Sequence, residues 1–322
     1  MEEKTLKHFI SKYYSQLLLT AVLLILGIVL SCKTPYFLTW ANCYNILDQT
    51  SIDIILALGM VFVISSAGID LSIGSTMAFS GIIMAFAMKA GIPVWGSLAL
   101  GLPIGILMGA CIGLLVSGLN LNPLVITLGF MSIGRGMALI LTKSSPIFGF
   151  PNAFKFLGSG HIGPINFPIL MALILVILSC ALLNVTKWGY YALALGGNDE
   201  AVRRAGISVW KYRTSIYIFC GLMAAIAGMI TIARLNCADP LAGWMVETDA
   251  IAAVVLGGAS LSGGKGSILG TILACLVLGT LDNGLILLAI PSYYQKLLCG
   301  IIIILALVST ELRSRKEPKS VG

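Results

Sequence analysis

The stretch PVWGSLALGLPIGILMGACIGLLVSG, residues 93–118, holds 26 residues without one charged side chain. At about 1.5 Å per helical residue, some 20 such residues cross a hydrocarbon core about 30 Å thick. A lipid-spanning chain must pair every backbone polar group internally, so this run reads as a transmembrane helix. Its glycines add a second reading. Gly101, Gly105, Gly109 and Gly113 recur every four residues and form one helical stripe on which a neighbouring backbone comes close. The stripe predicts a tightly packed helical bundle, not a single anchor.

The rest of the chain agrees. Its 322 residues are 58% hydrophobic and 10% charged, with a mean hydropathy of +1.00, whereas soluble domains carry about 25% charged residues. The net charge of +7 would suggest nucleic acid in a soluble protein; here it belongs to the cytoplasmic loops of a membrane protein, and no nucleic-acid partner is expected. The eight cysteines are scattered without a C-x-x-C pair and read as packing residues. Only His8 and His161 are present, which argues against a histidine metal site. Tyr13–Cys32 is long enough to span and lacks a small-residue cleavage pattern, so it reads as the first span and not as a signal peptide.

Laid along the chain, the apolar stretches sort into ten candidate spans: 13–32, 52–69, 71–88, 93–118, 121–142, 164–186, 212–233, 250–264, 267–290 and 297–310. Several are short, and short or Gly/Pro-interrupted segments predict broken or re-entrant helices. Alternation from a cytoplasmic N-terminus puts 13 Lys and Arg inside and 6 outside, with Arg135 within a span, in keeping with the positive-inside rule. The expected fold is an all-α polytopic membrane protein of about ten transmembrane helices with both termini cytoplasmic. Residues 1–322 form one domain, with a cytoplasmic arm at 1–12, the largest cytoplasmic loop at 187–213 and a cytoplasmic tail at 311–322.

Polar groups within or beside spans are the functional candidates, since a charge at the bilayer centre costs about 2.5–3.5 kcal/mol on insertion scales. Asp70 and Ser72 lie in SSAGIDLSIGS (65–75), where Gly68 and Gly74 permit a backbone break; either side chain would cap the next helix, or take part in gating. Asn122, before Pro123, opens the fifth span, and Thr127 follows in the same helix. Asp282-Asn283-Gly284 is expected to interrupt the ninth. Each would line a polar pathway or satisfy a helix end. Arg135 would snorkel outward or pair inside the bundle. No Ser-His or Cys-His partnership is possible from the two loop histidines, so an enzyme is not expected.

The turn GGASLSGGKG (257–266) resembles a phosphate-binding loop but fails its pattern. Ala259 stands where the first glycine is needed, and Gly266 replaces the Ser or Thr that would bind magnesium. Loop 187–213 contains GGNDEAVRRAG (196–206): Asn198 or Asp199 caps a short helix, Arg203 and Arg204 sit at its negative end, and Gly206 stops it. A rigid short helix in the longest inside loop suits docking.

Three stretches together resemble the monosaccharide permeases of ATP-binding-cassette importers, the ribose and xylose type related to branched-chain amino acid permeases. Gly68-Ile69-Asp70-Leu71-Ser72-Ile73-Gly74 is similar to that family's G-I-D-L-S-V-G signature. Gly197-Asn198-Asp199-Glu200-Ala201, with Arg203 and Gly206, resembles its coupling loop. Leu256-Gly257-Gly258 through Gly263-Gly264-Lys265-Gly266-Ser267 resembles its paired-glycine turn. The spacing agrees over roughly residues 45–310.

The resemblance implies a bacterial inner-membrane permease subunit that works by alternating access. Its partners would be a second permease, an extracytoplasmic solute-binding protein and a cytoplasmic ATPase. ATP and magnesium would bind that ATPase, with no cofactor on this chain. The docking set would be Gly197, Asn198, Glu200, Ala201, Arg203, Arg204 and Gly206; the pathway set Asp70, Ser72, Asn122, Thr127, Asp282 and Asn283. Two departures stand out: Asp282 replaces the more usual Asn, and Val202 the usual Ala. The first leaves other solutes open, such as a branched-chain amino acid, a nucleoside or a sugar-like signal. It is also the one support for an ion-coupled secondary transporter.

Overall fold

The computed structural model describes residues 2–291 and scattered positions from 294 to 304, with side chains from residue 15 onward. Among the described residues seven helices are long and apolar enough to cross a membrane: Ser15–Lys33, Trp40–Ser65, Val94–Gly118, Pro123–Thr142, Phe167–Val185, Val209–Leu235 and Ile268–Leu287. In chain order these belong to α1 (Glu2–Lys33), α2 (Trp40–Ser65), α4 (Val94–Gly118), α5 (Pro123–Thr142), α7 (Phe167–Val185), α10 (Val209–Leu235) and α12 (Ile268–Leu287). Between them lie the shorter α3 (Ile73–Lys89), α6 (Asn152–Ser159), α8 (Lys187–Gly197), α9 (Asp199–Arg204) and α11 (Val246–Leu256). Most of the expected tenth span, and the whole tail, fall outside the described residues. Two antiparallel ladders of two-residue strands are the only β-structure among the described residues: Ile147–Phe148 with Cys237–Ala238, and His161–Ile162 with Ile165–Asn166. Both tie loops together at helix ends.

The long helix α10 is the central post, with α2, α3 and α4 packed around it. The glycine stripe of α4 makes this approach possible. A Cβ at Gly105 would lie 2.2 Å from the Gly221 carbonyl oxygen, and one at Gly109 would lie 2.2 Å from that of Tyr217. Backbone therefore meets backbone along the α4–α10 seam, which maximises dispersion contact where hydrophobic exclusion from water is not available to join helices. By contrast α1, α5 and α7 turn many large apolar side chains outward, among them Leu24, Ile28, Val125, Ile140, Leu173 and Ile177. That surface is suited to lipid. Exposed Tyr36, Trp40 and Trp95 mark one end of the bundle, and exposed Tyr190 and Trp210 the other, as expected of aromatic side chains at the two membrane interfaces.

Two of the shorter helices, α3 and α11, start against each other. α3 has 17 residues and α11 has 11, and both begin inside the bundle. The break between α2 and α3 lies beside Tyr217 and Cys220, about 12–17 Å along α10 at 1.5 Å per residue. The start of α11 meets the start of α3: a Cβ at Gly74 would lie 2.2 Å from the Gly243 oxygen and 2.8 Å from Glu247 Oε2. The expectation of broken or re-entrant segments thus corresponds to α3 and α11. One expected break is absent, because α12 runs without interruption through Asp282, Asn283 and Gly284. Those residues were read as polar enough to open the helix, but the side chain of Asn283 finds its partner on another helix. The expected span 52–69 is observed as 40–65: the polar first half of α2 has enough buried partners to remain helical.

Candidate functional site

The break after α2 is built by local capping. Ala67 adopts φ +59°, and the Gly68 N–H returns to the Val63 oxygen at 2.9 Å. Asp70, almost fully buried, accepts the Ser72 N–H at 2.8 Å and the Ser72 hydroxyl at 2.6 Å through Oδ1. Asp70 therefore closes the turn that leads into α3, while Ser72 occupies the cap position without a capping bond of its own. From α10, the Tyr217 hydroxyl donates to the Ile69 oxygen at 3.3 Å. Gly68 is required there, since a Cβ would stand 2.7 Å from that hydroxyl.

A polar cleft opens where α2, α11 and α12 converge. It encloses about 120 Å³ and is lined by Asp53, Leu56, Asp249, Ala253, Leu278 and Asp282, among others. Asp53 is residue 53 of a helix spanning 40–65, so it lies at the helix centre, and its side chain is exposed. Asp249 and Asp282 are half-buried. Turning a carboxylate at mid-helix toward hydrocarbon costs about 2.5–3.5 kcal/mol, so this face suits a wet path. Every charged residue lining the cleft among the described residues is acidic. Asp53 and Asp249 were missed in the sequence. The signal for Asp53 was present, a carboxylate inside an apolar run, but nothing in linear order puts it beside Asp282.

Other expected site residues lie elsewhere. Asn283 exchanges two hydrogen bonds with Asn42 of α2: Asn42 Nδ2 donates to Asn283 Oδ1 and Asn283 Nδ2 to Asn42 Oδ1, both at 2.9 Å. Asn42 Nδ2 also donates to the Phe37 oxygen at 3.0 Å. Asn122 is exposed and caps α5 by accepting the Leu124 N–H at 2.9 Å. Thr127 is fully buried, with its hydroxyl donating to the Pro123 oxygen at 2.9 Å. Arg135 pins the entry to α11, donating through Nη1 to the Pro240 and Ala242 oxygens at 2.7 and 2.8 Å.

The short helix α9 is capped by Asn198, whose Oδ1 accepts the Ala201 N–H at 2.9 Å. Glu200 pairs with Arg204 at 3.2 Å and with Arg203 at 3.8 Å. Asp199 reaches Arg213 of α10 at 3.7 Å. Val202 is the buried anchor, packed in a small cluster with Leu195 and Val209. Gly206, at φ +79°, ends the helix in the left-handed conformation that glycine tolerates. Gly197, Glu200, Ala201, Arg203 and Arg204 remain exposed, a rigid polar knob ready to be held.

Apolar spans, a polar cleft walled in part by the short helix α11 and a protruding capped helix define a polytopic membrane transport protein. The family described as "Branched-chain amino acid transport system / permease component" matches residues 42–307, and the chain belongs to it. It is a multi-pass inner-membrane permease subunit of an ABC importer, not an enzyme. It is 41% identical over 290 residues to the ribose import permease protein of Escherichia coli K12, covering 89% of this chain and 90% of that one. The ribose import permease protein of Bacillus subtilis 168 is 40% identical over 91% of each chain. The D-allose transport system permease protein of Escherichia coli K12 is 36% identical over 95% of this chain and 94% of its own. No solved structure gives a significant match. Among the described residues no group of three or more His, Cys, Asp or Glu side chains is placed to hold a metal ion.

Proposed function

We propose that this chain carries a neutral monosaccharide inward along a path walled by α2, α11 and α12. The observation that carries the reading is the cleft of Asp53, Asp249 and Asp282, which opens beside the centre of α2. Carboxylates accept hydrogen bonds from sugar hydroxyls. An all-acidic lining disfavours the carboxylate of an amino acid. The relatives named for ribose import and D-allose transport point the same way. Asp70 and Ser72 act as the gate at the α2–α3 break. Asn122 and Thr127, apart from this cleft at the start of α5, steady that helix where it packs on α3 below the gate, and Asn283 holds α12 in register beside Asp282.

The chain in this reading has about ten membrane-spanning segments and both termini in the cytoplasm. It pairs with a second permease and receives solute from an extracytoplasmic binding protein. A separate ATPase, holding ATP and magnesium, docks on Gly197, Asn198, Glu200, Ala201, Arg203, Arg204 and Gly206. Closure of the ATPase pair draws the α9 helices together and alternates the access of the path.

The test is uptake of labelled D-ribose into proteoliposomes containing the complete importer with Asp53→Asn, Asp282→Asn or both. The expected result is a fall of at least tenfold in the double variant, with the ATPase still bound. Uptake that survives the double variant refutes the cleft as the path. Uptake driven by an ion gradient without ATP would instead favour secondary transport, for which carboxylates lining a path are also suited.

A further inference from the structure

The docking helix and the gate are separated in sequence by well over a hundred residues, yet one joint brings their supports together. Ser65 is the last residue of α2 and has no exposed surface. Its carbonyl oxygen accepts the Gly264 N–H at 2.9 Å. Gly196, two residues before Asn198 at the cap of α9, lies on the same oxygen: a Cβ there would stand 1.9 Å from Ser65 O and 2.4 Å from Gly264 N. A Cβ at Gly263 would lie 2.6 Å from Gly196 Cα and 2.8 Å from Ala67 Cβ. A Cβ at Gly266 would lie 2.0 Å from Ser65 Oγ. The ends of α2 and α8 and the α11–α12 turn therefore touch by backbone, with almost no side chain between them. The three stretches singled out in the sequence are the three parts of this joint.

We propose that Ser65, Gly196, Gly264 and Gly266 form a rigid clasp that transmits displacement of α9 to the α2–α3 break and to the α11–α12 wall of the path. This rests on the docking role assigned to α9 above. Side chains absorb small displacements by changing rotamer; packed backbones do not, so a shift at α9 passes undiminished to its neighbours. The hydrogen bond to Ser65 O aligns α2 with the turn, and Gly196 sets the distance. These are positioning residues: none lines the cleft or belongs to the exposed docking face.

The experiment uses the complete importer in proteoliposomes, with three readouts: ATPase recovered with the chain, ATP hydrolysis and uptake of labelled D-ribose. The unaltered importer tests the function itself; the variants test the clasp. Gly196→Ala is expected to keep the ATPase bound and hydrolysing while uptake falls at least tenfold. Uptake within twofold of the unaltered importer overturns the clasp. A second variant does not depend on tolerance at 196. In Ser65→Cys/Gly266→Cys the Cβ of residue 266 would lie 3.3 Å from that of 65, close to the ~3.5–4.5 Å of disulfides. Oxidation is expected to form the bond and leave uptake within twofold, because parts that move as one body lose nothing when joined. Failure of the bond to form, or loss of uptake that a reductant restores, overturns the proposal.

Discussion

Replacing Asn283 with Leu removes one half of the amide pair that joins α12 to α2. Two hydrogen bonds of 2.9 Å are lost, and side-chain hydrogen bonds between membrane helices are worth on average about 0.6 kcal/mol each. Asn42 keeps its bond to the Phe37 oxygen, but its own oxygen is left buried without a donor, costing about 1–3 kcal/mol more. The single variant should therefore lose roughly 2–4 kcal/mol. In Asn42→Leu/Asn283→Leu neither side-chain amide is orphaned, although the Phe37 oxygen loses its donor as it does in Asn42→Leu, so the loss should be smaller than in Asn42→Leu alone and well below the sum of the two single variants. The non-additivity, made of the shared pair of bonds and the orphan penalty of each single variant, should amount to about 3 kcal/mol or more, well above the ~0.3–0.5 kcal/mol scatter of independent sites. Reversible unfolding in mixed detergent micelles across the four chains measures it. Additive losses would refute the reciprocal pair. Uptake separates the two roles of Asn283: a positioning residue lets the double variant recover transport with stability, whereas a residue that contacts solute leaves both variants equally impaired.

The α4–α10 seam makes a sharper size prediction. Gly105→Leu should abolish the monodisperse species in detergent, because the Cβ alone would stand 2.2 Å from the Gly221 oxygen, whereas Gly129→Leu on α5, with nothing within 4 Å, should leave it intact. Equal tolerance at both sites would contradict the packing. At α9, Asn198→Ala should cost about 1 kcal/mol of helix stability and reduce the ATPase recovered with the chain several-fold, with Asn198→Ser restoring it. Unchanged recovery with Ala would remove the cap from the docking function.

Composition and apolar run length were enough to show that lipid is the solvent, since no arrangement of a chain with 10% charged residues supplies a fully polar surface. Local chemistry was equally legible. Asn198 caps α9 and Gly206 ends it, and the glycine stripe of α4 meets a neighbouring backbone, because caps and helical faces depend on residues a few positions apart. The short helices α3 and α11 were foreshadowed by short apolar runs broken by glycine, though the run near 52 hid a longer α2. What linear order could not carry was which polar groups share a place. Asp282 was singled out alone, and its companions Asp53 and Asp249 were passed over. Asn283, read as pathway, is paired with Asn42 at a separation of 241 residues. The sequence by itself determined the solvent, the helices and their caps, which follow from transfer free energies and near-neighbour hydrogen bonds. Only the tertiary structure decided that three carboxylates meet in one cleft and three glycine-rich turns in one joint, because such contacts depend on helix packing distances that residues far apart in the chain set jointly.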